Sequence, residues 1–170
     1  MISRAYMETM AAYNRWQNES LYGASANLSD EERRADRGAF FGSIHDTLSH
    51  ILWGDKVWLS RFGAEVTARQ ASIADSIEEC PDWDELVSER QAVDRKIIDW
   101  VKSFDDSKLG EDLSWYSGAV GRQVSKPFGL LITHFFNHQT HHRGQVHAML
   151  TAAGQNPDDT DLPFRPEAGS

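Results

Sequence analysis

Apolar residues recur at mixed three- and four-residue steps in four stretches of the chain, and each stretch predicts an amphipathic helix. The first covers about Ser3 to Ala26, with Tyr6, Met10, Tyr13, Leu21 and Tyr22 along its apolar side. The segment NLSDEERRADRGAFFGS then breaks the pattern, and Ser29 with Glu32 has the spacing of a capping box for a short helical turn. A second helix is predicted from about Ile44 to Phe62, entered through Ser43, with Asp46 as its acidic partner and Gly63 as its stop. Its buried side carries Leu48, Ile51, Leu52, Trp58 and Leu59.

After the polar connection GAEVTARQASIADSIEECPD, a third helix is predicted to start near Pro81, which a first turn tolerates. Leu86, Val93, Ile97, Trp100 and Val101 give it an apolar stripe that ends near Phe104. EDLSWYSGAVGRQVSK alternates in polarity around a Ser-Gly pair and reads as a loose hairpin or an irregular crossover. Pro127 opens the last helix, which runs to about Ala153 and is closed by Gly154. The Pro- and Asp-rich tail beyond it reads as an extended surface segment. Four such helices predict an all-α fold, a four-helix bundle with an irregular crossover before the last helix. The long connections on both sides of the third helix leave the order of up and down strokes open. No repeat or second domain is visible, so residues 1–170 read as a single domain with a core over about 3–153 and a tail over 154–170.

The last helix departs from a simple apolar stripe. Four of the seven histidines fall within NHQTHHRGQVHAML, residues 137–150: His138, His141, His142 and His147. The stripe Leu131, Phe135, His138, His142, Val146, Met149 places two imidazoles where leucines are expected, four residues apart and one above the other. Buried neutral imidazoles need partners for their nitrogens, and a divalent metal supplies one by accepting a lone pair from each ring. His-x-x-x-His on a helix is the pair used in zinc metalloproteases, but the residue after the first histidine is Gln139 rather than the glutamate that chemistry requires. A third ligand must come from His45, His50, His134, His141, His147 or a carboxylate. His50 lies among Leu48, Ile51 and Leu52 and faces inward. His45 reads as a capping or surface residue, and His134 as lining the mouth of the site. His141 sits about 60° around the helix from His138 and reads, like His147, as marginal to the site. Arg143 reads as a solvated or salt-bridging neighbour.

Composition narrows the function classes. The formal net charge is −9 and no basic run exceeds two residues, which argues against a nucleic-acid binder. Cys80 is the only cysteine, so an intrachain disulfide and a cysteine zinc site are both excluded, in keeping with a reducing compartment. The amino terminus lacks the apolar core of a signal peptide and no apolar run has membrane-spanning length, so a cytoplasmic location with no membrane partner is expected.

Beyond these patterns, NHQTHHRGQVHAML resembles the signature of the DinB/YfiT-like family of metal-dependent bacterial proteins. TLSHILWGDKVWLSRF resembles the family's histidine-bearing second helix, YNRWQNESLY its Tyr-Asn-x-Trp-x-Asn opening, and DDTDLPF the segment after its last helix. The matches run in order along nearly the whole chain. The resemblance implies a down-up-up-down four-helix bundle holding one divalent metal, with His50, His138 and His142 as ligands. It selects His142 over His141, as the stripe does, and implies a homodimer.

A three-histidine site leaves a position for water or substrate, the open arrangement of a catalytic metal. Relatives in the wider superfamily are thiol-dependent S-transferases or isomerases. The resemblance therefore implies a metal-dependent hydrolase or transferase acting on a small molecule. The simplest form is an S-transferase in which the metal activates a low-molecular-weight thiol or water. Gln145 or His141 would orient ligands, with His134 beside them. The alternative is a non-enzymatic, stress- or damage-associated metal-binding protein. Imidazole suits zinc, nickel, iron and copper alike, so the ion's identity stays open among Zn, Ni and Fe as first choices.

Overall fold

The computed structural model describes residues 2–166. Four long helices dominate: α1 (Arg4–Ala26), α3 (Ile44–Arg61), α4 (Trp83–Ser103) and α5 (Phe128–Ala152), with the short α2 (Asp30–Arg34) between the first two. Their ends follow local chemistry. Ser3, Ser43 and Asp82 each cap a helix by accepting a backbone N–H from the third residue on. The Ser29–Glu32 capping box is formed in both directions. Gly63 and Gly154 end their helices at φ of 89° and 79°, a conformation costly for residues with a Cβ. The third long helix therefore starts at Trp83 rather than Pro81, because the Asp82 carboxylate is the better cap. Pro127 precedes α5 as the last residue of a strand.

That strand corrects the all-α expectation. β1 (Asp112–Ser117) and β2 (Arg122–Pro127) form a regular antiparallel hairpin in which Trp115 pairs with Val124, so the segment before the last helix is not an irregular crossover. Leu113 and Trp115 turn toward the helices while Asp112, Ser114 and Tyr116 face out, the period of two expected of a half-covered strand. The tail crosses α1, where the Asp159 and Thr160 carbonyls accept from Gln17 and Tyr13. Residues 167–170 of the expected tail lie outside the described residues. Among the described residues, no helix is long and apolar enough to cross a membrane.

Helix α1 packs on α4 and α5, and α3 on α5 and α4. One end of the interior is aromatic: Phe62 stacks on Trp100 at 5.2 Å and meets Phe128 and Phe135 at 5.2 and 5.8 Å. Pairs of this kind add about 0.5–1.5 kcal/mol each beyond their area burial. The middle is polar. Arg90 donates to Asp55 at 2.6 Å and lies 2.9 Å from Asp94, which accepts from Asn14 and Asn18. Gln139 donates to the second Asp55 oxygen at 2.8 Å, and Arg143 donates to the Asn14 side-chain amide oxygen Oδ1. None of these seven residues is more than 4% exposed.

This layer overturns the reading of Arg143 as a solvated or salt-bridging residue: it is buried, and among the described residues its side chain hydrogen-bonds to Asn14 rather than pairing with a carboxylate. Two carboxylates and two guanidiniums balance in charge, and their hydrogen bonds join all four long helices. Burial lowers the Arg143 pKa to about 10, which still leaves the group cationic at pH 7.

His45 is likewise neither cap nor surface residue. It is fully buried, and its Nε2 contacts the Cys80 carbonyl at 3.0 Å, tying the start of α3 to the connection before α4.

Removing one partner of a buried ion pair strands the other in low dielectric. Arg90→Met should therefore lower the urea-unfolding free energy by about 3–5 kcal/mol. A loss below about 1 kcal/mol would show that Asp55 and Asp94 are solvated or neutral without it.

A candidate metal centre

Three imidazoles from two helices converge beside the polar layer. His50 comes from the middle of α3, and His138 and His142 from successive turns of α5. Their ring centroids are 5.1 Å (His50–His138), 4.8 Å (His50–His142) and 4.6 Å (His138–His142) apart. One nitrogen of each lies within 4.8 Å of those of the other two, so the three could hold a metal ion. The His50 and His138 Nε2 atoms are 3.1 Å apart, close to the ~3.4 Å separation of two nitrogens on a tetrahedral ion with 2.0–2.1 Å legs.

The backs of the rings decide which nitrogen is free. His50 Nδ1 is 2.7 Å from Ser76 Oγ, and that hydroxyl spends its own proton on the Ile73 carbonyl at 2.6 Å. His50 must therefore donate from Nδ1, which leaves a lone pair on Nε2. His142 Nδ1 lies 2.8 Å from Gln145 Oε1, an acceptor, with the same result. Fixing a ligand's tautomer through its far nitrogen is the usual support for a metal-binding histidine. Phe41 stacks on His50 with centroids 3.9 Å apart. Gly54 makes room for His138: a Cβ at that position would stand 2.9 Å from the His138 Cε1.

Electrostatics favour the unprotonated donor set a metal requires. Burial, with the neighbouring imidazoles adding to it, pushes His50 and His138 down to about 3, and burial also lowers His142. All three rings are neutral at pH 7, and one nitrogen of each meets the others without a carboxylate or thiol among them. This donor set fits a divalent borderline ion such as zinc, nickel or iron.

The three rings lie at the floor of a cavity of about 800 Å³, walled by Phe41, Trp53, Trp58, Trp115 and the turn after β1. His134, one turn before His138, faces Trp58 at 5.2 Å and lies 5.8 Å from His138 on the cavity wall. His141 is exposed, but its ring adjoins His142 at 4.8 Å and its Nε2 is 3.4 Å from Gln145 Nε2. Gln145 thus touches both neighbours. His45 and His147 are outside the group. Sequence reasoning missed Ser76, Phe41 and Gly54. Ser76 sits in a connection with no periodic signal, and Lys56 fastens that connection to α3 through a buried 2.8 Å pair with Glu79.

Gly54→Ala adds a methyl group that only the His138 ring can yield to. Metal affinity in a chelator competition is expected to fall roughly tenfold or more. The thermal midpoint of the metal-free protein should hold or rise, since alanine is favoured over glycine inside a helix by about 1 kcal/mol. Unchanged affinity would show that this contact does not place the ring.

Comparison with known proteins places the chain in a family. The chain is 27% identical over 153 residues to protein DinB of Bacillus subtilis (strain 168), a match spanning 88% of this chain and 87% of that protein. Its fold is similar to the crystal structure of a DinB-like protein from Bacillus cereus ATCC 10987. That likeness has a TM-score of 0.62 and 19% identity, and covers 85% of this chain and 91% of the other. The sequence model of the DinB family matches residues 1–169. The chain therefore belongs to the DinB family.

Proposed function

We propose that the protein is a metal-dependent transferase of the thiol S-transferase type, with His50, His138 and His142 holding one divalent ion. One observation carries this reading: three neutral imidazoles, joined among the described residues by no fourth His, Cys, Asp or Glu donor, line a cavity large enough for a small molecule. Structural zinc sites are closed by four protein ligands, whereas catalytic sites keep a position open. When bound, the ion would supply Lewis acidity, holding a thiol as thiolate or making a bound water acidic near neutral pH.

The chain's own residues do the rest. Ser76 and Gln145 hold the His50 and His142 rings by their far nitrogens. Phe41, Trp53 and Trp58 keep bulk water from the reacting end of a bound molecule. Burial, with Arg61 adding to it, lowers the His134 pKa, so this ring is neutral at pH 7 and is placed to accept a proton from a ligand at the cavity floor. The reading includes one down-up-up-down four-helix-bundle domain over residues 1–170, a homodimer and a cytoplasmic setting.

The test is an assay of protein loaded in turn with zinc, nickel or iron, using glutathione, bacillithiol or mycothiol with a chromogenic aryl halide. Turnover is expected with at least one thiol and should drop to background in His138→Ala. No thiol-dependent rate above free metal across the whole panel would contradict the transferase reading.

A further inference from the structure

The cavity holds a charge that the metal reading does not use. Arg61, the last residue of α3, is half-buried in the cavity wall, with its guanidinium carbon 4.6 Å above the Trp58 ring and 5.5 Å from that of Trp115. Arg4, Arg33, Arg90 and Arg143, the other arginines withdrawn from solvent within helices, each donate a hydrogen bond. Among the described residues, Arg61 donates none and pairs with no carboxylate. The indole faces and the nearby helix C-terminus offset part of the cost of burying the cation, but neither accepts its N–H groups in a fork.

The cavity lining is equally pointed. Among the described residues it contains imidazoles, indoles, phenyl rings, two aliphatic side chains and small residues, but no aspartate or glutamate, although the chain carries 26 acidic residues. Arg61 is the one Lys or Arg in that lining among the described residues. From its guanidinium an unbroken wall runs through Trp58 to His134 and on to His138, with successive spacings of 4.6, 5.2 and 5.8 Å. A molecule lying along this wall has aromatic surface beneath its body, a fork of N–H donors at one end and the three imidazoles at the other.

We infer that Arg61 is the anion subsite of this cavity. Its small-molecule ligand carries a terminal carboxylate or other oxyanion held by Arg61, an apolar or aromatic body against Trp58 and Trp115, and its reacting atom at the three-histidine end. This rests on the reading that the cavity takes a small-molecule substrate or thiol, and it restricts that molecule to an anion. Arg61 acts by binding and orienting the ligand, since guanidinium and carboxylate match in geometry as well as charge.

Binding of 4-phenylbutyrate, its neutral amide and the corresponding phosphonate, followed by tryptophan quenching and calorimetry, tests this in metal-loaded and metal-free protein. The acid or the phosphonate is expected to bind wild type roughly tenfold or more tightly than the amide, as a charge-assisted hydrogen-bond pair implies. The tighter of the two anions identifies the headgroup. That preference should collapse in Arg61→Met and Arg61→Gln, persist in part in Arg61→Lys, and leave metal content and circular dichroism unchanged. It should also survive removal of the metal, so a failure of the metal-enzyme reading and a failure of this one are read separately. Equal affinity of acid, phosphonate and amide for wild type, or a preference retained in both uncharged variants, would overturn the inference.

Discussion

The hydrogen bond from Gln139 to Asp55 fixes how α5 is turned against α3, and the candidate metal centre depends on that rotation. Gln139 and Arg143 are the sequence neighbours of His138 and His142. With the first pair directed into the buried polar layer, a helix of about 100° per residue directs the second pair toward the cavity. Asp55 is five residues beyond His50 on α3, and Arg90 from α4 holds it in place. The same layer that costs desolvation energy therefore sets the register between the two helices that carry the imidazoles. Buried polar contacts of this sort define one arrangement where apolar packing alone would tolerate several.

Around this frame, loops finish the site. The connection between α3 and α4 has little periodic structure, yet it is pinned by Glu79 to Lys56 and delivers Ser76 to the back of His50. The hairpin before α5 supplies Trp115 and the turn that wall the cavity on another side. Phe41, from the segment between α2 and α3, covers the His50 ring. A rigid pair of helices carries the donors while three connections shape the space above them, the usual division between scaffold and variable site.

Much of this architecture is legible in the sequence. Helix extents follow from apolar spacing and from caps at Ser29 and Ser43. The stripe through His138 and His142 marks two inward imidazoles by spacing alone. What the sequence conceals depends on partners far along the chain. Arg143 looks solvated until Asn14, more than a hundred positions away, is brought to it. His45 looks like a surface residue until the Cys80 carbonyl reaches it. Gly54 resembles any helical glycine until His138 fills the space left by its missing Cβ. The hairpin is half visible, because its alternation is clear but short and flanked by glycines that also suit an irregular loop.

The central claim is that His50, His138 and His142 together hold one divalent ion. The most direct measurement is elemental analysis of protein purified without a histidine tag, alongside His50→Ala, His138→Ala, His142→Ala, His141→Ala and His147→Ala. About one ion per chain is expected in wild type, in His141→Ala and in His147→Ala. Loss of the ion is expected in each of the other three, with helical content preserved. Stoichiometric metal retained by folded His138→Ala would contradict the claim.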